Sequence, residues 1–282
     1  MDVILDGMPG ILYIVATPIG NLEDISARAL RILAEVAVVA CEDTRHSAKL
    51  LNHFGIRTTT VSFHQHNEAQ RTEALLARLA AGYDVALVSD AGTPLICDPG
   101  ARLVSGAIET GFRVVPVPGP SAMLAALSAS GLPAEEFRFC GYLPSKAAQR
   151  RKRLGTLAGE QVTLIFYEAP HRAVDMLKDL AEIMGGRRVV LAREVSKVHE
   201  EFLRGLPSEV LAGLSSRPDL RGEITVIVGP PQQAEPGLSD REILREVEAL
   251  VRLGTPKAAA IKAVAHKFRV PKRRIYSLVL EG

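Results

Sequence analysis

The chain has no tryptophan, and aromatic residues make up only 5% of its 282 positions, so its core has to be built from aliphatic side chains. Cysteine is also scarce. Cys41, Cys97 and Cys140 stand far apart with no CxxC pair, which excludes a disulfide framework and a cysteine-rich zinc module and predicts a reduced, cytoplasmic setting. The apolar run Ile11–Ala16 is far too short to span a bilayer and has no basic leader, so a soluble intracellular protein with no membrane partner is expected. Neither GxGxxG nor GxxxxGK[ST] occurs, which removes both common nucleotide fingerprints. A GxSxG elbow and a Cys–His signature for nucleophilic catalysis are missing too. His64 and His66 alternate near Glu68, but metal sites draw on tighter ligand sets, so this stretch reads as a solvated polar loop and no metal is expected. What remains is group transfer from a bound donor, in which binding geometry does most of the catalysis.

Among what is present, the stretch Ala86–Ala101 organises the rest. Asp84–Val88 reads as a short buried strand, and Asp98-Pro99 as the cap and first position of a helix running to Gly111. Between them Ser89, Asp90, Gly92, Thr93 and Pro94 form a loop of small residues at the carboxyl end of a strand, where ligands of open α/β sheets bind. Similar units recur. Buried strands at Ile11–Ala16, Val36–Ala40, Thr58–Phe63 and Arg113–Val117 each end in a polar or glycine- and proline-rich loop. Helices are predicted from a cap at Asp24 or Ser26, over Ser47–Phe54 and from a cap at Asn67 to Ala81. The pattern implies an α/β fold with a largely parallel, doubly covered sheet.

A second such region follows Pro118, with a helix over Ser121–Ser130 and strands at Phe137–Gly141, Val162–Phe166, Arg188–Ala192 and Gly222–Val228. Lys146–Arg153 is basic and helical in pattern, and Pro170 suits a first helical turn. The segment Gly229–Gly237 has a linker's composition. Beyond it three helices are expected, at Ser239–Leu253, Lys257–Phe268 with Thr255-Pro256 as cap and first position, and Pro271–Leu280. The organisation is therefore an α/β domain over 1–117, another over 118–229, and a helix-turn-helix-like module over 238–282. The net charge is only +2, yet Lys257, Lys262, His266, Lys267, Arg269, Lys272, Arg273 and Arg274 concentrate positive charge in that module. Lys257, Lys262, Lys272, Arg273 and Arg274 are the RNA-binding candidates, set against the plain alternative of a solvated basic face.

Six motifs occur in order: Thr17–Ser26, Glu42–Arg45, Ser89–Pro94, Val117–Ala122, Tyr167–Arg172 and Gly222–Thr225. Together they resemble the ribosomal small subunit methyltransferase I family of the tetrapyrrole methylase superfamily, and the resemblance runs through roughly the whole chain. It implies a two-domain, class III methyltransferase fold with a small C-terminal helical module, and a homodimer. It also implies 2′-O-methylation of a decoding-centre cytidine in 16S rRNA of the small ribosomal subunit, with S-adenosylmethionine held in the cleft between domains. The superfamily's Gly-Asp-Pro loop falls on Gly92-Thr93-Pro94, with threonine in place of the acid and Asp90 two residues earlier. Ser121 and Ala122 fall at a helix start able to bind the methionine carboxylate. Pro18, Ser89, Ile96, Tyr167, Ala192, Gly222 and Glu223 match further donor-pocket positions.

Transfer from a sulfonium requires alignment and removal of a poorly acidic proton. Glu23, Asp24, Glu42, Asp43, Arg45, Lys197 and Glu200 sit at strand ends as candidates for the base and for phosphate contacts, and the sequence does not choose among them. Two other readings stand beside this one. A precorrin-type methyltransferase has no need of the basic tail or the Glu-Asp-Thr-Arg loop, and a non-enzymatic RNA-binding protein leaves the small-residue loops unexplained.

Overall fold

The computed structural model describes residues 8–215, 220–231, 240–268 and 271–281. The chain divides into two compact units, Met1–Pro231 and Gln232–Gly282. The first contains two five-stranded sheets.

The first sheet is built from β1 (Leu12–Val15), β2 (Val38–Cys41), β3 (Thr60–Ser62), β4 (Val85–Leu87) and β5 (Val114–Val117). Their order is β3-β2-β4-β1-β5 and every pairing is parallel, as expected for apolar strands buried on both faces. Helices α1 (Ala27–Glu35) and α2 (Thr44–His53) cover one face through Ile32, Leu33 and Leu51. Helices α3 (Glu68–Ala80) and α4 (Ala101–Glu109) cover the other through Leu75, Leu79, Leu103 and Ala107. From neighbouring strands β1 and β4 the chain leaves in opposite directions, toward β2 and toward β5. The carboxyl ends of β1 and β4 therefore form a topological switch point, the place where such a sheet opens a crevice.

The second sheet departs from expectation. After α5 (Ala122–Ser128) come β6 (Phe137–Tyr142), α6 (Ala147–Leu157), β7 (Thr163–Glu168), α7 (Pro170–Met184), β8 (Val189–Arg193), β9 (Glu201–Gly205), α8 (Pro207–Ser215) and β10 (Ile224–Val228). The order is β6-β7-β10-β8-β9. Only β6 and β7 pair in parallel, while β10 runs antiparallel to β7 and β8, and β8 to β9. The strand β9 and helix α8 were not foreseen. Half-buried Glu201, Phe202 and Leu203 on this edge strand lack the continuous apolar run that marks the central strands. Helices α6, α7 and α8 cover one face and α5 the other. Between α6 and α7 a buried Arg150 Nε donates to Asp179 Oδ2 at 2.6 Å, both side chains under a tenth exposed.

In the second unit α9 (Asp240–Arg252), α10 (Lys257–Lys267) and α11 (Lys272–Glu281) enclose a small core of Ile243, Val247, Ile261, Val264 and Ile275. Pro256, not Thr255, is the cap of α10, and it caps without a side-chain bond. Arg269 and most of the linker lie outside the described residues.

Candidate functional site

Three loops at the switch point are tied directly to one another. Thr17 and Gly92 exchange backbone hydrogen bonds (2.9 and 3.1 Å), and Thr17 Oγ1 donates to Ser89 O at 3.1 Å. Gly92 holds φ +85, where a side chain is strained, and an added Cβ would stand 3.3 Å from Ile19 Cγ2. Thr93 Oγ1 donates to Pro120 O at 3.1 Å, so the residue in the place of the superfamily's acid staples the loop after β4 to the loop after β5.

Onto these loops opens a cleft of about 400 Å³. From the first sheet it is lined by Ile19, Asp90–Thr93 and Ile96–Asp98, from α5 by Ser121 and Ala122, and from the second sheet by Tyr142, Tyr167–Pro170 and Gly222–Thr225. Tyr167 accepts the first-turn N–H of Met123 at 3.2 Å, so one of the helix-start donors of α5 is already taken. Burial pushes the Tyr167 hydroxyl up to about 12 despite that bond. Phe139, Tyr167 and Tyr142 form a stepped aromatic row, with centroids 5.0 and 5.8 Å apart, and Tyr142 is more than half exposed.

The cleft is acidic, and its carboxylates are held in different ways. Asp90 Oδ1 accepts the Asp43 N–H at 3.1 Å. Glu168 is buried at the end of β7, where Oε1 accepts from Ala169 N (2.9 Å) and faces Arg172 Nε at 3.1 Å. Burial raises its pKa, opposed by that N–H bond and by Arg172. Glu223 pairs with Lys197 at 3.2 Å. Asp98 is pushed up to about 6, first by burial and then by the negative charges of Glu42 and Asp90, against one hydrogen bond from the Ser89 side chain.

Of the residues matched to donor binding, Asp90, Gly92, Thr93, Ile96, Ser121, Ala122, Tyr167, Gly222 and Glu223 line the cleft. Pro18, Ser89 and Ala192 do not. Pro18 and Ser89 are buried within the loops after β1 and β4, and Ala192 lies inside β8 opposite Thr225. None of the seven candidates for the base lines it either. Asp43 caps α2 and pairs with Arg45 at 2.8 Å, and the Arg45 side chain holds its carboxyl well below the usual carboxylate range. Glu42 is exposed beside this pair, and Glu23 sits in the short 3-10 turn Leu22–Asp24. Asp24 accepts from the Ser196 hydroxyl, Glu200 accepts the Ser196 N–H at 2.7 Å, and both line a separate hollow of about 460 Å³. Burial opposes the charge of Lys197, but Glu194 (2.8 Å) and Glu223 outweigh it and raise its pKa. This ammonium accepts no proton; it ties two loops of the second sheet together.

Asp98 is the cleft residue that sequence reasoning assigned to another role. The helix α4 begins at Ala101 with Gly100 as its cap, and no side chain of its own loop satisfies the first turn. Glu68, from α3, supplies the acceptor instead, taking Gly100 N at 3.0 Å and Arg102 N at 3.3 Å. Asp98 is thereby released to line the cleft.

In the second unit Lys257, Lys262, Lys272, Arg273 and Arg274 are all exposed. Lys262, His266, Lys267 and Lys272 surround a hollow of about 650 Å³ between α10 and α11. Arg274 pairs with Asp240 and Lys267 with Glu246, each at 2.8 Å. Among the described residues no cluster suits a metal ion, and no helix is long and apolar enough to cross a membrane.

Comparison with known proteins agrees with this architecture. A family model described as tetrapyrrole (corrin/porphyrin) methylases matches residues 11–211. A Pseudomonas aeruginosa protein named ribosomal RNA small subunit methyltransferase I is 53% identical over 259 residues, covering 90% of this chain and 92% of its own. An Escherichia coli O157:H7 protein of the same name is 47% identical, covering 98% and 96%. Among solved structures, cobalt precorrin-4 methyltransferase superposes with a TM-score of 0.59 at 16% identity, over 78% of this chain and 94% of that one. Uroporphyrin-III C-methyltransferase from Thermus thermophilus, complexed with S-adenyl homocysteine, superposes with 0.54 at 22% identity, over 78% and 97%.

Proposed function

This chain belongs to the ribosomal RNA small subunit methyltransferase I family of the tetrapyrrole methylases, and from that premise we propose that it methylates the 2′-hydroxyl of a decoding-centre cytidine in 16S rRNA, with S-adenosylmethionine as donor. The observation that carries the proposal is the acid-lined cleft at the switch point, joined in one chain to a helical unit rich in exposed lysine and arginine. A sulfonium donor is cationic, which suits a cleft lined by Asp90, Asp98, Glu168 and Glu223. Gly92 and Ala122 leave room for it against the backbone. When bound, the donor supplies an already activated methyl group. The residues of the chain then position that methyl, exclude water and remove one proton.

The acceptor is polyanionic, and we assign its phosphates to Lys257, Lys262, Lys272, Arg273 and Arg274. Among these Arg274 is already paired, so the other four carry more of the contact. A homodimer in the cytoplasm completes this reading. The structural neighbours named for uroporphyrin and precorrin substrates supply the rival acceptor class. The deciding experiment is transfer from labelled S-adenosylmethionine to unmodified small subunits and, separately, to a precorrin, with the product nucleoside identified. Label in 2′-O-methylcytidine supports the proposal, and label in the macrocycle alone overturns it. Sedimentation of the purified chain tests the dimer.

A further inference from the structure

The hollow of about 460 Å³ adjoins the donor cleft. Ile19, from the loop after β1, and Ser121, just ahead of α5, line both, so an occupant of the hollow meets the donor across these two residues. Its size falls within the range of small-ligand pockets. Val195 and Phe202 give it an apolar surface, half-buried against the core beneath α5. Its polar lining is a linked set in which Ser196 stands between two carboxylates. The Ser196 hydroxyl donates to Asp24 Oδ2, and the Ser196 N–H donates to Glu200 Oε2 at 2.7 Å. Among the described residues no protein donor takes the remaining oxygens, Asp24 Oδ1 and Glu200 Oε1, and neither carboxylate pairs with a cation. The walls are set before anything binds. A Cβ added to Gly20 would fall 2.2 Å from Lys197 Cγ, so the loop after β1 lies directly on the Lys197 stem, and the Lys197 ammonium is held by Glu194 and Glu223.

We propose that this hollow receives the acceptor nucleoside, turned out of its stack, and that Asp24 and Glu200 select cytosine by accepting its exocyclic amino group. The inference rests on the methyl-transfer reading above. Enzymes that act on one nucleotide extrude it into a pocket, where apolar or aromatic side chains stack on the base and polar groups read its Watson–Crick edge. Here Phe202 and Val195 supply the apolar surface. The ribose, which carries the reacting hydroxyl, belongs at the shared border with the donor cleft. The base then extends toward Asp24 and Glu200, which line the hollow and not the cleft. Two acceptor oxygens without a cation repel phosphate and a bare carbonyl, and they suit a group that offers N–H donors. A carboxylate accepting from N4 is the matched partner of cytosine, whereas uracil presents a carbonyl oxygen at the same place.

The test uses full-length protein and labelled S-adenosylmethionine under single-turnover conditions. The acceptors are unmodified small subunits carrying either cytidine or uridine at the methylated position. Wild type is expected to favour cytidine by about ten- to a hundredfold, the discrimination of a well-paired base edge. Asp24→Asn and Glu200→Gln each keep an oxygen for Ser196 and turn an amide N–H₂ into the hollow, which opposes the cytosine amine and suits the uracil carbonyl. Each is therefore expected to lower the cytidine rate and to shift the cytidine-to-uridine ratio toward uridine by about tenfold, with donor affinity in calorimetry unchanged. Phe202→Leu keeps an apolar contact with the core and removes the ring, so it slows both acceptors alike and leaves the ratio as in wild type. A rate loss with an unchanged ratio in both amide variants overturns the proposal, because carboxylates that only brace the loops do not distinguish bases. Wild type that methylates cytidine and uridine targets equally overturns it as well, with the rRNA reading intact. Wild type that labels no nucleoside of the subunits overturns the rRNA reading, and the nucleoside pocket falls with it.

Discussion

Removing Glu68, a residue outside the cleft, is expected to weaken donor binding. Its Oε1 is the acceptor for the N–H of the cap residue Gly100 at 3.0 Å and for the first-turn N–H of Arg102 at 3.3 Å, and Gly100 is the last residue of the loop that carries Ile96, Cys97 and Asp98. Loss of a capping side chain costs about 0.5–2 kcal/mol, and hydrogen bonds to a charged group about 1.5–3 kcal/mol each when buried. With one bond long and the residue only half-buried, Glu68→Ala is expected to cost about 1–2 kcal/mol. Gly100 at φ +134 sets an added Cβ 2.7 Å from Leu87 Cδ2, so the chain reaches α4 along one narrow path. The strain at Leu95 and Cys97, of order 1–3 kcal/mol each, is retained only while the ends of the turn are clamped. Because about 1.4 kcal/mol is tenfold in affinity, full transmission of the lost clamp gives on the order of a tenfold weaker donor. Glu68→Gln keeps an oxygen acceptor and falls between wild type and alanine. Urea unfolding and donor calorimetry on the three proteins check this. Equal stability in all three removes the clamp from the argument, and lost stability with unchanged affinity shows that the clamp does not reach the cleft.

Other substitutions probe the cleft, the core and the tail. Gly92→Val places a branched side chain at φ +85 against Ile19, costing at least about 1–2 kcal/mol of backbone strain, and is expected to abolish donor binding in calorimetry while circular dichroism stays native. Asp179→Ala leaves the buried Arg150 guanidinium without its partner and is expected to cost about 3–5 kcal/mol in denaturant unfolding; the Arg150→Met/Asp179→Leu double variant recovers most of that loss. Deleting residues 232–282 leaves donor affinity unchanged and weakens subunit binding; each phosphate left without its cation flattens the logarithmic salt slope by about 0.7–0.9. A truncated enzyme that binds and methylates subunits like the full chain assigns the helical unit another purpose.

What could be read from the sequence follows from the range of the forces involved. The strands of the first sheet, buried on both faces, announce themselves as short β-branched runs, and the cap Ser26 acts within three residues, whereas α2 begins at Thr44 behind the cap Asp43, three residues before the Ser47 start expected from the sequence. The small-residue loops were legible because backbone crowding at Gly92 leaves a compositional trace. The antiparallel pairing of β10 left none, since an apolar run such as Ile224–Val228 serves either direction equally well. Most instructive is the exchange of roles between Asp98 and Glu68. An Asp-Pro pair before a helix is a sound local cap signal, and it fails here because an acceptor 32 residues away takes the helix start. That substitution costs the chain a long-range hydrogen bond where a short-range one was available. It leaves Asp98 to meet Glu42 and Asp90 at the cleft, and a carboxylate set against two others is unfavourable for folding alone. Local rules are expected to break where a site needs the residue more than the fold does, and the loop after β4 is such a place.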